Sequence, residues 1–143
     1  MPYDDHGYGT VQTVQVTAVN QTSVRAATVA VAAHTFMSAV TVTDFNISWL
    51  GDVAGAALAL TGTQDSNRLI LGIGKSVAGT GTITQLGTCV LGTAALGSVI
   101  DGTCAATNFD AGDDLVLTAN AGTALVALQW NATANVKYKE RFV

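Results

Sequence analysis

Residues 126–142 read VALQWNATANVKYKERF, and this stretch decides the fold. Its alternate side chains form a largely apolar set: Val126, Leu128, Trp130, Ala132, Ala134, Val136, Tyr138, Glu140 and Phe142. The side chains between them are mostly polar. Because successive β side chains point to opposite faces, this alternation predicts one long strand, or two collinear ones, whereas a helix would scatter the apolar residues. We therefore expect a β-sheet with one packed face and one wet or partner-bound face, and we expect Trp130 and Val136 to be buried.

The composition favours a single all-β domain. Thr, Ala, Val and Gly make up more than half of the 143 residues. Thr and Val suit strands and Gly suits turns, while the long straight-chain helix formers are scarce. A chain of this length can bury one core without a disulfide or a metal. The net charge of -4 disfavours nucleic acid as a partner, because phosphate contacts need a basic surface.

The low charge has a second consequence. Charged residues are 11% of the chain, against about 25% in an average soluble protein. The surface is therefore either weakly charged and exposed or covered in an assembly. Residues 76–100 carry no charge but are too rich in Gly and Thr to enter a bilayer favourably, so no membrane partner is expected. The start, MPYDDHGYG, lacks an apolar signal region, which predicts synthesis in a cytoplasm.

Residues 1–9 are predicted to be an extended arm, and residues 10–143 the folded domain. The arm has no periodic pattern and little apolar content, so it has no means of joining the core. Tyr3 and Tyr8 are its candidate assembly contacts, because Tyr supplies a large contact area at small entropic cost.

Short alternating segments fill the domain. Strands are predicted at 10–19, at 29–33 with Val29, Val31 and Ala33 on one side, at 38–49, at 69–73 and at 115–119. Within 38–49 the apolar phase changes at Asp44, which indicates a bulge or a strand that bends between two sheets. Residues 53–60 fit either a strand or a short helix. Eight to ten short strands with frequent turns indicate a sandwich or a barrel.

Glycine spacing suggests where the chain turns. A Gly-rich loop containing Gly72, Gly74, Gly79 and Gly81 is expected after the apolar run at 69–73. Residues 86–105 repeat in fives, with Gly at 87, 92, 97 and 102. A square β-helix would need more coils to bury a core, so we interpret the repeat as strands and turns with Gly at each bend.

Cys89 and Cys104 occupy the same place in the first and last of these five-residue repeats. They are therefore candidates to face each other across adjacent strands. Two reduced, buried thiols are the default in a cytoplasmic product, and a disulfide is the alternative.

No residue pattern matches a catalytic, phosphate-binding or metal-binding motif. Gly74-Lys75-Ser76 matches the end of a phosphate-binding loop, but Leu69 stands where that loop needs a glycine. Asp110, Asp113 and Asp114 are interpreted as a solvated turn rather than a cation site. His6 and His34 lack partners with zinc or nucleophile spacing and are taken as structural or surface residues. The sequence thus predicts no enzyme, no cofactor and no metal.

Two surface features remain candidates for binding. Trp49, beside a turn, is either an edge of the core, which we favour, or an exposed platform for a sugar. Lys137, Lys139 and Arg141 share one face of the final strand. This basic stripe either protects an edge strand from promiscuous pairing or contacts an acidic partner.

The chain from residue 36 to 143 resembles small jelly-roll proteins of tailed-phage virions. The likeness rests on the strand–turn–strand order, on the acidic turn in TNFDAGDDLVLTANAG, where Ala111-Gly112-Asp113 precedes an apolar strand, and on the closing strand that ends YKERFV. The resemblance implies an antiparallel jelly-roll β-sandwich that is not an enzyme. Such proteins decorate or cement the capsid, often as trimers, or form fibre and tail-tip modules.

The resemblance therefore implies a virion location, the major capsid protein as partner and a homotrimer. The expected function is capsid decoration. The alternative is a head-fibre or tail-tip receptor-binding module of the same virion. A secreted sugar-binding domain is disfavoured, because the sequence shows neither a signal region nor clear aromatic platforms.

Overall fold

The computed structural model describes residues 10–21, 28–51, 69–90, 99–121 and 130–141. Within them the chain forms nine strands and no helix: β1 (Gln12–Gln21), β2 (Val29–Thr35), β3 (Val40–Gly51), β4 (Leu69–Ser76), β5 (Ile83–Val90), β6 (Val99–Gly102), β7 (Thr107–Phe109), β8 (Asp114–Ala121) and β9 (Trp130–Glu140). The predicted all-β class is confirmed. The arm at 1–9 and the ambiguous segment at 53–60 lie outside the described residues.

The strands form two antiparallel sheets that pack together as a sandwich. Sheet A has the order β1-β9-β3-β6, and β7 also pairs with β3. Sheet B has the order β2-β8-β4-β5. The core between them includes both Trp residues, Phe45 and Phe109. A β-sandwich, rather than a barrel, is therefore the architecture.

Strand β9 lies at the centre of sheet A. It pairs with β1 on one side and with β3 on the other. Its inward residues Trp130, Ala132, Ala134 and Val136 are all buried, at 2% exposure or less. The predicted apolar face is thus confirmed. The interpretation of the basic stripe as protection for an edge strand is wrong, since β9 has a partner along each edge.

The phase change in β3 is a bulge. The pairing of β3 with β9 shifts register between Val42 and Asp44. The extra residue turns Phe45 and Ile47 to the same core that receives Val40 and Val42. Because both halves of β3 pair with β9 in sheet A, the alternative of a bend between two sheets is wrong.

Strand β2 departs from the predicted alternation. Its pairing with β8 shifts register between Ala30 and Ala32. Consequently Val31 and Ala32 both pack against the core, while Ala33 is exposed. The prediction that Ala33 shares the face of Val29 and Val31 is wrong, because this bulge moves it to the opposite side.

Several glycines lie in strands rather than in turns. Gly72 and Gly74 belong to β4, and a Cβ on Gly74 would come within 2.9 Å of the Ile83 side chain. Gly87 and Gly102 belong to β5 and β6, so placing Gly at each bend of the five-residue repeat is wrong at both positions. True turns use other glycines: Gly79, Gly81 and Gly112 have φ of 75°, 68° and 94°. Such angles suit residues without a Cβ.

Candidate assembly surface

The outward side of sheet A, here called the outer face, is a set of polar rows that cross the strands. One row runs through Gln15, Asn135, Asn46 and Asp101, as the strand registers place them opposite one another. The next row runs through Thr17, Thr133, Ser48 and Val99. Most of these side chains are uncharged amides or hydroxyls, so the outer face is polar with little charge.

Hydrogen bonds join neighbouring side chains along these rows. Gln15 Nε2 donates to Asn135 Oδ1 at 2.9 Å, and Asn135 Nδ2 donates to Asn46 Oδ1 at 2.8 Å. The hydroxyls of Thr17 and Thr133 lie 3.0 Å apart. Side chains that are already ordered lose little conformational entropy when a partner covers them. The outer face is therefore preorganised for contact with a broad surface.

The basic stripe divides into two exposed lysines and one engaged arginine. Lys137 and Lys139 are exposed on the outer face. Lys137 lies between Thr13 of β1 and the exposed Asp44 of β3, and Lys139 lies opposite Thr41 of β3. Arg141 follows the end of β9, where it pairs with Asp110 and donates to the carbonyl of Phe109 at 3.1 Å. The structure thus leaves Lys137 and Lys139 open to a partner and gives Arg141 an intramolecular contact.

The first described residues of the chain lie beside these lysines. Gln12, the first residue of β1, is in register with Tyr138, and the Tyr138 hydroxyl lies 3.3 Å from Gln12 Oε1. Residues 10 and 11 therefore enter sheet A at the corner that holds Lys137 and Lys139. Tyr3 and Tyr8 lie outside the described residues, so their proposed contacts stay predictions.

The acidic turn contains one buried carboxylate, that of Asp113, which links neighbouring strands. Asp113 is only 4% exposed, and its carboxylate accepts the backbone N–H of Asp110 at 2.9 Å and that of Ala78 at 3.2 Å. Lys75 Nζ lies 3.3 Å from the same carboxylate and donates to the Asn108 carbonyl at 2.7 Å. We call Lys75, Asp110, Asp113 and Arg141 the Asp113 clasp. The solvated-turn interpretation is therefore wrong for Asp113.

The electrostatics of the Asp113 clasp are balanced. Its two cations each meet one of its two carboxylates. The backbone N–H of Asp110, that of Ala78 and the Lys75 ammonium lower the pKa of Asp113 against the opposing effect of burial. No group of three His, Cys, Asp or Glu suited to a metal ion occurs in the part of the chain that the structure describes. The clasp holds strands together, and its charges are already matched.

Both cysteines are free thiols, as the default prediction has them. Cys89 is buried, and burial, with a smaller contribution from the charge of Asp101, raises its pKa to about 11. Its Sγ lies 3.5 Å from the Ile100 carbonyl. Cys104 is only partly buried, and burial followed by the charge of Asp44 raises its pKa too. Thiols with raised pKa values are weak nucleophiles at neutral pH.

The remaining candidates are structural. Trp49 is 5% exposed and belongs to the core, which confirms the core prediction and rules out the exposed platform. The ring of His34 packs edge-on against Phe36, with centroids 5.1 Å apart. His6 lies outside the described residues. The hydrogen-bonded rows of the outer face were not anticipated, although the alternating Thr, Asn and Gln of β1 and β9 were a signal for them.

Comparison with known proteins adds no family. No model of a known protein family matches the chain, and no curated protein matches its sequence. Among the described residues there is no helix long and apolar enough to cross a membrane.

Proposed function

We propose that this protein is a non-enzymatic structural protein of a bacteriophage virion that decorates and stabilises the capsid. The preorganised outer face of sheet A is the observation that carries the proposal. A cement protein must cover a broad surface without a deep pocket. Rows of hydrogen-bonded Thr, Asn and Gln suit such a contact, because polar groups that are partly satisfied laterally are cheaper to cover.

The strand order supports the jelly-roll part of the proposal. In sheet A the late strand β9 lies between β1 and β3, and in sheet B the late strand β8 lies between β2 and β4. A jelly roll has eight strands in two Greek keys. Counting β6 and β7 as one interrupted strand along β3 gives eight strands here, four in each sheet.

The attachment proposed here has two parts. Lys137 and Lys139 attract an acidic patch of the major capsid protein, and residues 1–9, which precede the adjacent strand, contribute Tyr3 and Tyr8. Exposed charges at the rim of an interface affect the rate of docking and its salt dependence more than its final strength. The lysines therefore steer the molecule, and the arm and the outer face hold it.

Co-sedimentation with capsids that lack this protein tests the proposal. We expect the wild-type chain to bind to saturation in a fixed ratio to the capsid protein. Replacing Lys137 and Lys139 together by Glu should slow binding, most clearly at low salt, because the steering charge is reversed. Lys75→Gln is the comparison that removes a cation from the Asp113 clasp instead, and it should leave the binding rate of the folded protein unchanged.

One result would count against decoration, and another would count against the attachment surface proposed here. Binding to host cells with no binding to capsids would favour the receptor-binding module. Capsid binding at full ratio and unchanged rate by the Lys137→Glu, Lys139→Glu protein would move the attachment to another surface.

A further inference from the structure

In the described part of the chain, strand β1 forms an edge of sheet A and carries little of the protection that an edge strand usually has. Within the described strands, β1 ends the order of sheet A and pairs only with β9. It is 10 residues long and contains neither a charged residue nor a proline. Soluble proteins usually protect an edge by shortening it, bulging it, charging it or covering it. The regular part of β1, Gln12 to Ala18, shows none of the first three devices.

The other described edges differ from β1. Strand β6 is only 4 residues long and carries Asp101, and β2 is interrupted by its bulge. Strand β5 has a register shift of its own, and the chain near Thr103 packs against Gly87. Strand β1 also shifts register, between Ala18 and Gln21, but its stretch from Gln12 to Ala18 pairs regularly and carries no charge.

The sequence of β1 is symmetric about Gln15. Residues 13–17 read TVQVT, which is the same in both directions. An antiparallel pair of two β1 strands with Gln15 on the two-fold axis places Thr opposite Thr and Val opposite Val, and such matched pairs stabilise sheets. The symmetry ends at these five residues, because Gln12 would lie opposite Ala18 and Val19 falls within the register shift between Ala18 and Gln21.

Charge also favours the antiparallel arrangement. Lys137 lies opposite Thr13, near the beginning of β1. Two-fold antiparallel pairing sends the beginnings of the two β1 strands to opposite ends of the contact, which separates the lysine pairs of the two copies. A parallel arrangement would bring them side by side, at a cost in repulsion.

We propose that two copies of this chain pair through their β1 strands, antiparallel about Gln15, and so join their A sheets into one continuous sheet. The occupant of the free edge is a second copy because the strand is complementary to itself. An isologous contact of this kind closes after two copies. It therefore predicts a dimer, in place of the trimer that the family resemblance implies, and it concerns the isolated protein whether or not a capsid is its partner.

Introducing a charge at Gln15 in the full-length chain tests the pairing. Gln15→Lys places two like charges across the axis and should raise the dimer dissociation constant by roughly fivefold or more at low salt. Gln15→Glu should do the same. Mixing the two variants should restore the dimer, and native mass spectrometry should show mixed pairs in excess of the statistical share.

Asn46→Lys is the matched control. Asn46 lies in the same row as Gln15, also bonds to Asn135, and is two strands further from the edge. It should leave the dimer dissociation constant within about twofold of wild type, because the two new charges lie about five strand spacings apart across the pairing, where Coulomb repulsion in water is small even at low salt. Thermal melts of all three variants confirm that each is folded.

Three results would overturn the pairing. The first is that sedimentation equilibrium finds the wild-type chain to be a monomer at every concentration, and the second is that it finds a trimer. The third is that the chain dimerises, but Gln15→Lys weakens the dimer no more than Asn46→Lys does, which would place the contact away from β1.

Discussion

Phe45 shows how single residues decide the packing of this sandwich. Its ring occupies the space that a side chain on Gly102 would need, and it also lies close to the position of a Cβ on Gly87. Phe45 is itself 2% exposed, so its ring lies inside the core. The two glycines thus allow β5 and β6 to close over an aromatic side chain that the bulge in β3 turns inward.

Gly102→Ala should therefore destabilise the protein, by about 1–3 kcal/mol, because overpacking forces the Phe45 ring or the backbone to shift. Urea unfolding measures the change. The double variant Phe45→Leu, Gly102→Ala should lose less than the sum of the two single changes, since the smaller side chain leaves room for the new methyl group. Additive losses would show that the two residues do not compete for the same space.

Trp130 also projects into the core from sheet A, six residues along β9 from the partner of Phe45, Val136. It is 1% exposed, and its indole N–H has no hydrogen-bond partner in the described part of the chain. Trp130→Ala should cost about 3–5 kcal/mol of unfolding free energy through lost burial and the remaining cavity. Trp130→Phe should cost much less, because it keeps an aromatic ring and removes the unpaired donor. Equal losses in the two variants would contradict this account.

At the scale of elements, the Asp113 clasp joins the end of β4 to the turn between β7 and β8. Lys75 belongs to β4, and its ammonium also lies 5.2 Å from the centre of the Phe109 ring of β7. Arg141, just after β9, donates to the carbonyls of Phe109 and Val40. One set of charges therefore fastens both sheets at the same end of the sandwich.

The clasp makes stability depend on pH. The pKa of Asp113 is lowered in the folded protein, so its contribution is complete above the ordinary carboxyl pKa of about 3.9 and is lost as pH falls through the lower folded value. Asp113→Asn should cost about 1–3 kcal/mol near pH 7, because an amide cannot accept at both oxygen positions.

Unfolding of wild type and Asp113→Asn across the acid range measures this effect. The difference between the two proteins should be largest near neutral pH and should shrink below about pH 4. Asp110→Asn is the control: its side chain is 74% exposed, and a surface ion pair contributes only about 0–1 kcal/mol. A difference that stays constant across the acid range would show that the Asp113 carboxylate is not the titrating group.

Elements whose pattern is local were predictable from the sequence, and contacts between distant elements were not. The alternation in 130–140 was enough to predict the packed face of β9. The phase change at Asp44 indicated an irregularity in β3, but it did not decide between a bulge and a bend between two sheets. The bulge in β2 depends on its pairing with β8 and leaves no break in a run of Val and Ala. Likewise, the burial of Asp113 needs Lys75, and the position of Gly102 needs Phe45, which are remote in sequence.

The same limit applies to the candidate surface. Lys137 and Lys139 were identified from their spacing, because alternation along one strand is enough to place both side chains on its polar face. Arg141 was grouped with them, although it lies past the end of β9 and bonds to Asp110. The position of β9 inside sheet A depends on pairing with β1, which no local pattern encodes.

At the scale of the whole molecule, the two proposals describe compatible surfaces. Pairing through β1 leaves the outer face of sheet A uncovered and joins two such faces into one larger surface. It also sets the lysine pairs at opposite ends of that surface, where each can meet its own acidic patch on a shell. A dimer would therefore attach at two points, which raises its effective affinity over that of a single copy.

Electron cryomicroscopy of capsids incubated with saturating protein decides whether this protein decorates a phage capsid. Decoration predicts additional density at symmetry-related sites on the outside of the shell, with the outer face of sheet A and the corner that holds Lys137 and Lys139 turned toward the capsid protein. A shell that stays bare under these conditions, or density confined to the tail or its fibres, would contradict it.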